Sequence, residues 1–111
     1  MALDLSALEP PFRTVAIPMS ATPDEGLLVT LPSWARSFSM RPSGGIGKFS
    51  SEGADGVAID SDHQTIADGV LVSVRLDRSG RAGVNKAAPT VILASDTASI
   101  DIHCLIELSA G

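Results

Sequence analysis

The stretch Ser99-Ile100-Asp101-Ile102-His103-Cys104-Leu105-Ile106-Glu107-Leu108 decides how the rest of the chain reads. Ile100, Ile102, Cys104, Ile106 and Leu108 fall on one side of an extended backbone. Asp101, His103 and Glu107 fall on the other, with Leu105 the apolar exception. A two-residue period of this kind is the mark of a half-buried β-strand.

Working outward, the same alternation predicts strands over Phe12–Ile17, Leu27–Leu31, Arg36–Arg41, Lys48–Ser51, Gly56–Asp60, Gly69–Asp77 and Pro89–Ser95. Within them, Phe38 and Met40 are expected inward, with Ser37, Ser39 and Arg41 outward. Val70, Val72, Val74 and Leu76 are expected on the core side. Thr22-Pro23-Asp24-Glu25-Gly26 reads as a turn in which Pro23 presets φ and Gly26 permits the reversal. Pro42 to Gly47 reads as a glycine-rich hairpin turn, and Ser79 to Ala88 as a loop of small and basic residues. Met1 to Glu9 suggests one or two helical turns, stopped by Pro10 and Pro11. So short a helix is marginal alone and gains order by packing on something.

Short strands separated by turns about every ten residues, with no helix long enough to cover a sheet, define an all-β chain. The expected fold is a compact antiparallel β-sandwich, jelly-roll-like or a small barrel, with residues 1–11 as a short N-terminal arm and residues 12–111 as a single β-sandwich domain. Only 4% of the 111 residues are aromatic against 44% hydrophobic, so the core must be built from aliphatic side chains.

Thirteen acidic and eight basic residues give a net charge of −5, which argues against nucleic acid as the main partner because the few cations are scattered. No stretch is apolar for long enough to span a membrane. The start carries no signal-peptide pattern, so synthesis in a reducing cytoplasm is expected. Cys104 is the single cysteine, which excludes an internal disulfide, and its place on the apolar face makes it a buried thiol.

Several groupings invite chemistry. Asp55, Asp60, Asp62 and His63 are oxygen and nitrogen donors close in sequence, but their spacing fits no calcium loop, and a solvated turn accounts for them. Gly44-Gly45-Ile46-Gly47-Lys48 has the glycines and lysine of a phosphate loop. Pro42 nevertheless stands at its first glycine, Phe49 follows the lysine, and no helix comes after. His63 and His103 are the available bases for nucleophilic catalysis, and neither lies in a nucleophile-elbow context. No cofactor or metal is expected.

Arg41-Pro42-Ser43-Gly44 followed by Gly56-Val57-Ala58-Ile59-Asp60-Ser61-Asp62 resembles two motifs of the trimeric dUTPases, an all-β family in which an aspartate activates water. That resemblance implies hydrolysis dependent on Asp60. The chain departs from it at Pro42, at His63 where the family has tyrosine, at Gln64-Thr65, and in lacking the glycine-rich C-terminal motif.

A wider likeness runs from about residue 27 to 108. Val29-Thr30-Leu31-Pro32-Ser33-Trp34-Ala35-Arg36, then Gly47-Lys48-Phe49-Ser50 and Gly53-Ala54-Asp55-Gly56, then Val91-Ile92-Leu93-Ala94-Ser95 together resemble small structural proteins of tailed bacteriophages. The resemblance implies a virion component without enzymatic activity, a decoration or cement protein on the capsid surface whose partners are the major capsid protein and further copies of itself. Homo-oligomers commonly close with cyclic symmetry, and a trimer is expected. A neck, tail or head-fibre component and a carbohydrate- or host-binding module are the alternatives. The arm residues Leu3, Leu5, Leu8 and Phe12, with Trp34 and Arg36, are the expected interface, because exposed apolar arms, Trp and Arg mark places where chains meet.

Overall fold

The computed structural model describes residues 2–51, 53–76 and 89–108. These form nine strands: β1 (Leu3–Asp4), β2 (Phe12–Pro18), β3 (Leu27–Thr30), β4 (Ser37–Ser43), β5 (Gly47–Ser50), β6 (Gln64–Ile66), β7 (Val72–Arg75), β8 (Thr90–Ser95) and β9 (Asp101–Glu107). Asp77 and the expected loop from Ser79 to Ala88 lie outside the described residues.

The strands make two sheets, ordered β1-β3-β8-β5-β6 and β2-β9-β4-β7. From β2 to β5 each step crosses to the other sheet, the β5–β6 hairpin stays within one, and β7, β8 and β9 cross again. Leaving β1 aside, this is the jelly-roll arrangement of two four-stranded sheets. The fold class expected from the period-two pattern is therefore the observed one, and the strand order selects the jelly roll among its variants.

The alternation of β9 explains the core. Ile102, Cys104 and Ile106 are buried, and their partners across the ladders are Ile17, Val15 and Arg13 of β2 and Pro42, Met40 and Phe38 of β4. From the facing sheet, Val29, Leu93 and Ile66 complete an aliphatic interior around Phe38. Pro42 sits inside a central strand, where proline ordinarily removes a ladder bond. Its missing N–H points toward β7, which pairs with β4 only from Ser37 to Met40, and its carbonyl accepts from the Gly69 N–H at 2.9 Å.

Several local expectations change. The N-terminal segment is not helical: Leu3 and Asp4 pair in parallel with Val29 and Thr30, and the Leu5 N–H donates to the Thr30 carbonyl. A sheet edge offers this segment more than an isolated turn of helix can. Residues Gly56–Asp60 are not a strand. They form a turn and strap, with the Gly26 N–H donating to the Val57 carbonyl and the Gly56 N–H to the Gly26 carbonyl. The pairing partner of β5 is instead β6, too short to show a period. Val70 is 47% exposed because β7 starts only at Val72, after a turn that Gly69 makes at φ 77°. Gly44–Ile46 is a crossing between sheets rather than a hairpin turn.

The turn before β3 also works differently from its sequence reading. Asp24 takes the positive φ, 64°, while Gly26 is required for space: a Cβ there would lie 2.8 Å from Ile92 Cγ2.

Candidate functional site

The N-terminal arm does not project. Leu5 is buried, and Leu3, Leu8 and Trp34 pack against the core. The Trp34 indole Nε1–H donates to the Leu8 carbonyl at 2.7 Å, so the ring clasps the arm to its own sandwich. Arg36 places Nη1 near the Trp34 and Ala35 carbonyls, at 3.4 and 3.3 Å, and its backbone N–H donates to the Glu107 carbonyl. Of the six residues expected at an interface, only Phe12 remains largely exposed, at 60%.

Phe12 lies on the outer face of the β2-β9-β4-β7 sheet. Register fixes its neighbours: Phe12, Glu107, Ser37 and Arg75 share one row, Thr14, Leu105, Ser39 and Ser73 the next, and Ala16, His103 and Arg41 the third. Within the second row Ser39 is buried rather than outward in water, and its hydroxyl pairs with that of Ser73 at 2.8 Å. Beside the third row, Leu71 is 61% exposed. Thr14, Ala16, Arg41, Leu71, His103 and Leu105 together line a shallow concavity of about 430 Å³. Among the described residues the Arg41 and His103 side chains have no hydrogen-bond or ion-pair partner. The concavity thus combines apolar walls with two nitrogen donors free for an incoming group. Period-two reading put His103 and Arg41 on the outer face but could not show that a third strand, β2, brings Ala16 beside them.

The chemical groupings of the sequence take structural roles. Asp60 Oδ1 accepts from the Asp62 N–H at 3.0 Å, and the Asp60 carbonyl lies 2.7 Å from His63 Nδ1. Asp55 Oδ1 accepts from the Leu28 N–H, anchoring the strap to β3. Among the described residues no three Asp, Glu, His or Cys side chains gather as a metal would require. In the glycine-rich crossing, the Gly44 and Ile46 amides donate to Asp68 and Asp96, so carboxylates occupy the positions a phosphate would take. Lys48 pairs with Asp24 at 2.6 Å. Burial raises the Cys104 thiol to about 12, leaving it protonated and unreactive.

Fold and surface together define a jelly-roll β-sandwich with one open, partly apolar sheet face. No family model and no curated protein matches the sequence. Among solved structures the chain is similar to one described as "Bacillus endospore appendages form a novel family of disulfide-linked pili", with 15% identity and a TM-score of 0.41 over 88% of this chain and 86% of that one.

Proposed function

We propose that this chain is a non-enzymatic structural protein of a tailed-bacteriophage virion, a decoration or cement protein that binds the assembled capsid shell and stabilises it. The observation that supports an assembly role is the outer face just described, where Leu71, Leu105 and Ala16 surround Arg41 and His103, both unpaired among the described residues. Protein-binding patches have this composition, an apolar centre with a few directional donors, Arg foremost. The virion setting rests on the resemblance of residues 27 to 108 to small phage structural proteins.

In this reading the docking face is the outer sheet surface with Phe12 at its margin, and the arm with Trp34 supports that surface from within. The partner is the major capsid protein. Because the decoration protein binds the assembled lattice and not its separated subunits, binding shifts the equilibrium toward the intact shell. Co-sedimentation with expanded capsids lacking the protein tests this. The wild-type chain should pellet at a fixed stoichiometry, and Leu71→Glu combined with Arg41→Glu should weaken binding by about ten-fold or more without changing the melt. A chain that stays in the supernatant, or a double variant that binds as well as wild type, overturns the reading.

A further inference from the structure

The strands at the sheet edges are unequal. β1, β6 and β7 have two, three and four residues, whereas β2 has seven. Short edge strands are a common protection against edge-to-edge pairing, and β2 lacks it.

The ladder to β9 fixes which backbone groups of β2 stay open. The Leu108 N–H donates to the Pro11 carbonyl and the Met19 N–H to the Ile100 carbonyl, so hydrogen-bonded positions fall at odd residues of β2. Arg13, Val15 and Ile17 therefore direct their amides and carbonyls at β9. Phe12, Thr14 and Ala16 direct theirs away from the sheet, and all three residues are exposed. Among the described residues β2 pairs with β9 alone.

We infer that this edge pairs with the same edge of a second copy, antiparallel about a two-fold axis at Val15. Thr14 then lies opposite Ala16 of the second copy and exchanges both backbone hydrogen bonds with it, and the two-fold repeats the pair. The Phe12 N–H donates to the Pro18 carbonyl of the second copy. Pro18 has no N–H to give, but it falls at the end of the ladder, where its carbonyl is the group used.

Side chains agree with this register. Arg13 is the sole charge in β2 and lies opposite Ile17 rather than its own image, so no like charges meet across the axis. On the outer face the exposed Phe12 ring covers Pro18 of the second copy, and Thr14 lies beside Ala16. An unrelated strand would match the amide spacing but not this reciprocal fit. The product is one continuous eight-stranded sheet, β7-β4-β9-β2 followed by its two-fold image. It is an isologous interface, in place of the trimer expected from cyclic closure, and it does not depend on any role at a capsid.

Sedimentation velocity and amide hydrogen exchange on the full chain over a concentration series test the pairing. Mass should rise with concentration from 11.4 kDa toward twice that value. The Phe12, Thr14 and Ala16 amides should slow by about ten-fold or more as the dimer fills, while Val15 and Ile17 stay protected throughout. Ala16→Pro, which deletes an N–H that the β9 ladder does not use, should return the mass to that of a monomer. A mass that never exceeds 11.4 kDa overturns the pairing. So does a dimer in which the Thr14 and Ala16 amides exchange as fast as in dilute solution. The exchange measurement needs no variant, so it decides the question even if Ala16→Pro fails to fold, and a dimer that ignores capsids would leave the pairing standing while removing the capsid reading.

Discussion

Trp34 shows what a single side chain contributes here. Its bond to the Leu8 carbonyl spans 26 positions of sequence and fastens the arm to the sandwich. Trp34→Phe should cost about 1 kcal/mol, the usual worth of one partly buried hydrogen bond, read by urea titration. The same variant should speed exchange of the Leu5 amide, which reports the docking of β1. That clasp was not legible in the sequence, because its acceptor is a backbone carbonyl and carries no residue signature. Asp4 acts on the same arm: hydrogen bonds from Ser6 hold its carboxyl below the ordinary aspartate range. The stabilisation is complete above the unfolded-state value and is lost as pH falls through the lower folded value. Loosening of the Leu5 amide should therefore set in as pH falls below the ordinary aspartate value and be complete below the lower folded one. Cys104, by contrast, was readable from the alternation of β9 alone. Its folded value near 12 lies above the ordinary thiol value of 9.0, so its contribution is intact below about 9 and fades as pH rises from there toward 12. Alkylation by iodoacetamide at pH 8 should accordingly track global unfolding, and rapid labelling of folded protein would show that the thiol is not enclosed.

Strands with a clean period were the legible elements. β4 and β9 match their expected positions closely because each buries one face and, Ser39 of β4 apart, presents the other, the condition under which side-chain order reports backbone geometry. β6 escaped notice since three residues hold too little of a period, and β1 since its two residues are defined by the strand they join. Residues Gly56–Asp60 have the right residue types for a strand, yet backbone bonds to Gly26 and Asp24 make them a strap. Glycine at the sheet crossing has a packing reason that sequence alone hides: a Cβ on Gly47 would stand 2.7 Å from Pro42 Cγ and 3.4 Å from Ile102 Cδ1, both in the opposite sheet. Gly47→Ala should force β5 away from β4 and destabilise by about 1–3 kcal/mol, as overpacking of a filled interior does. An unchanged melting temperature would mean that the two sheets are less tightly apposed at this corner than the distances imply.

At the level of the molecule, spacing announced an all-β chain of many short strands, but neither their full number nor their order within the sheets. Each crossing pairs segments far apart in sequence, and nothing in a local pattern names the distant partner. The candidate surface suffered the same limit, for Arg41, His103, Ala16 and Leu71 come from four separate stretches of chain. The jelly-roll order carries one more consequence, for synthesis. β9 follows the other eight described strands in sequence but occupies the interior of its sheet, between β2 and β4. As the chain leaves the ribosome, β2 and β4 have no partner for their facing edges until residues 101–107 emerge. The nascent protein must hold Ile17, Phe38 and Met40 without their cover until then. A ribosome-bound chain halted at Ala98 should be digested readily by protease, and one halted well beyond Leu108, with room to clear the exit tunnel, should resist it.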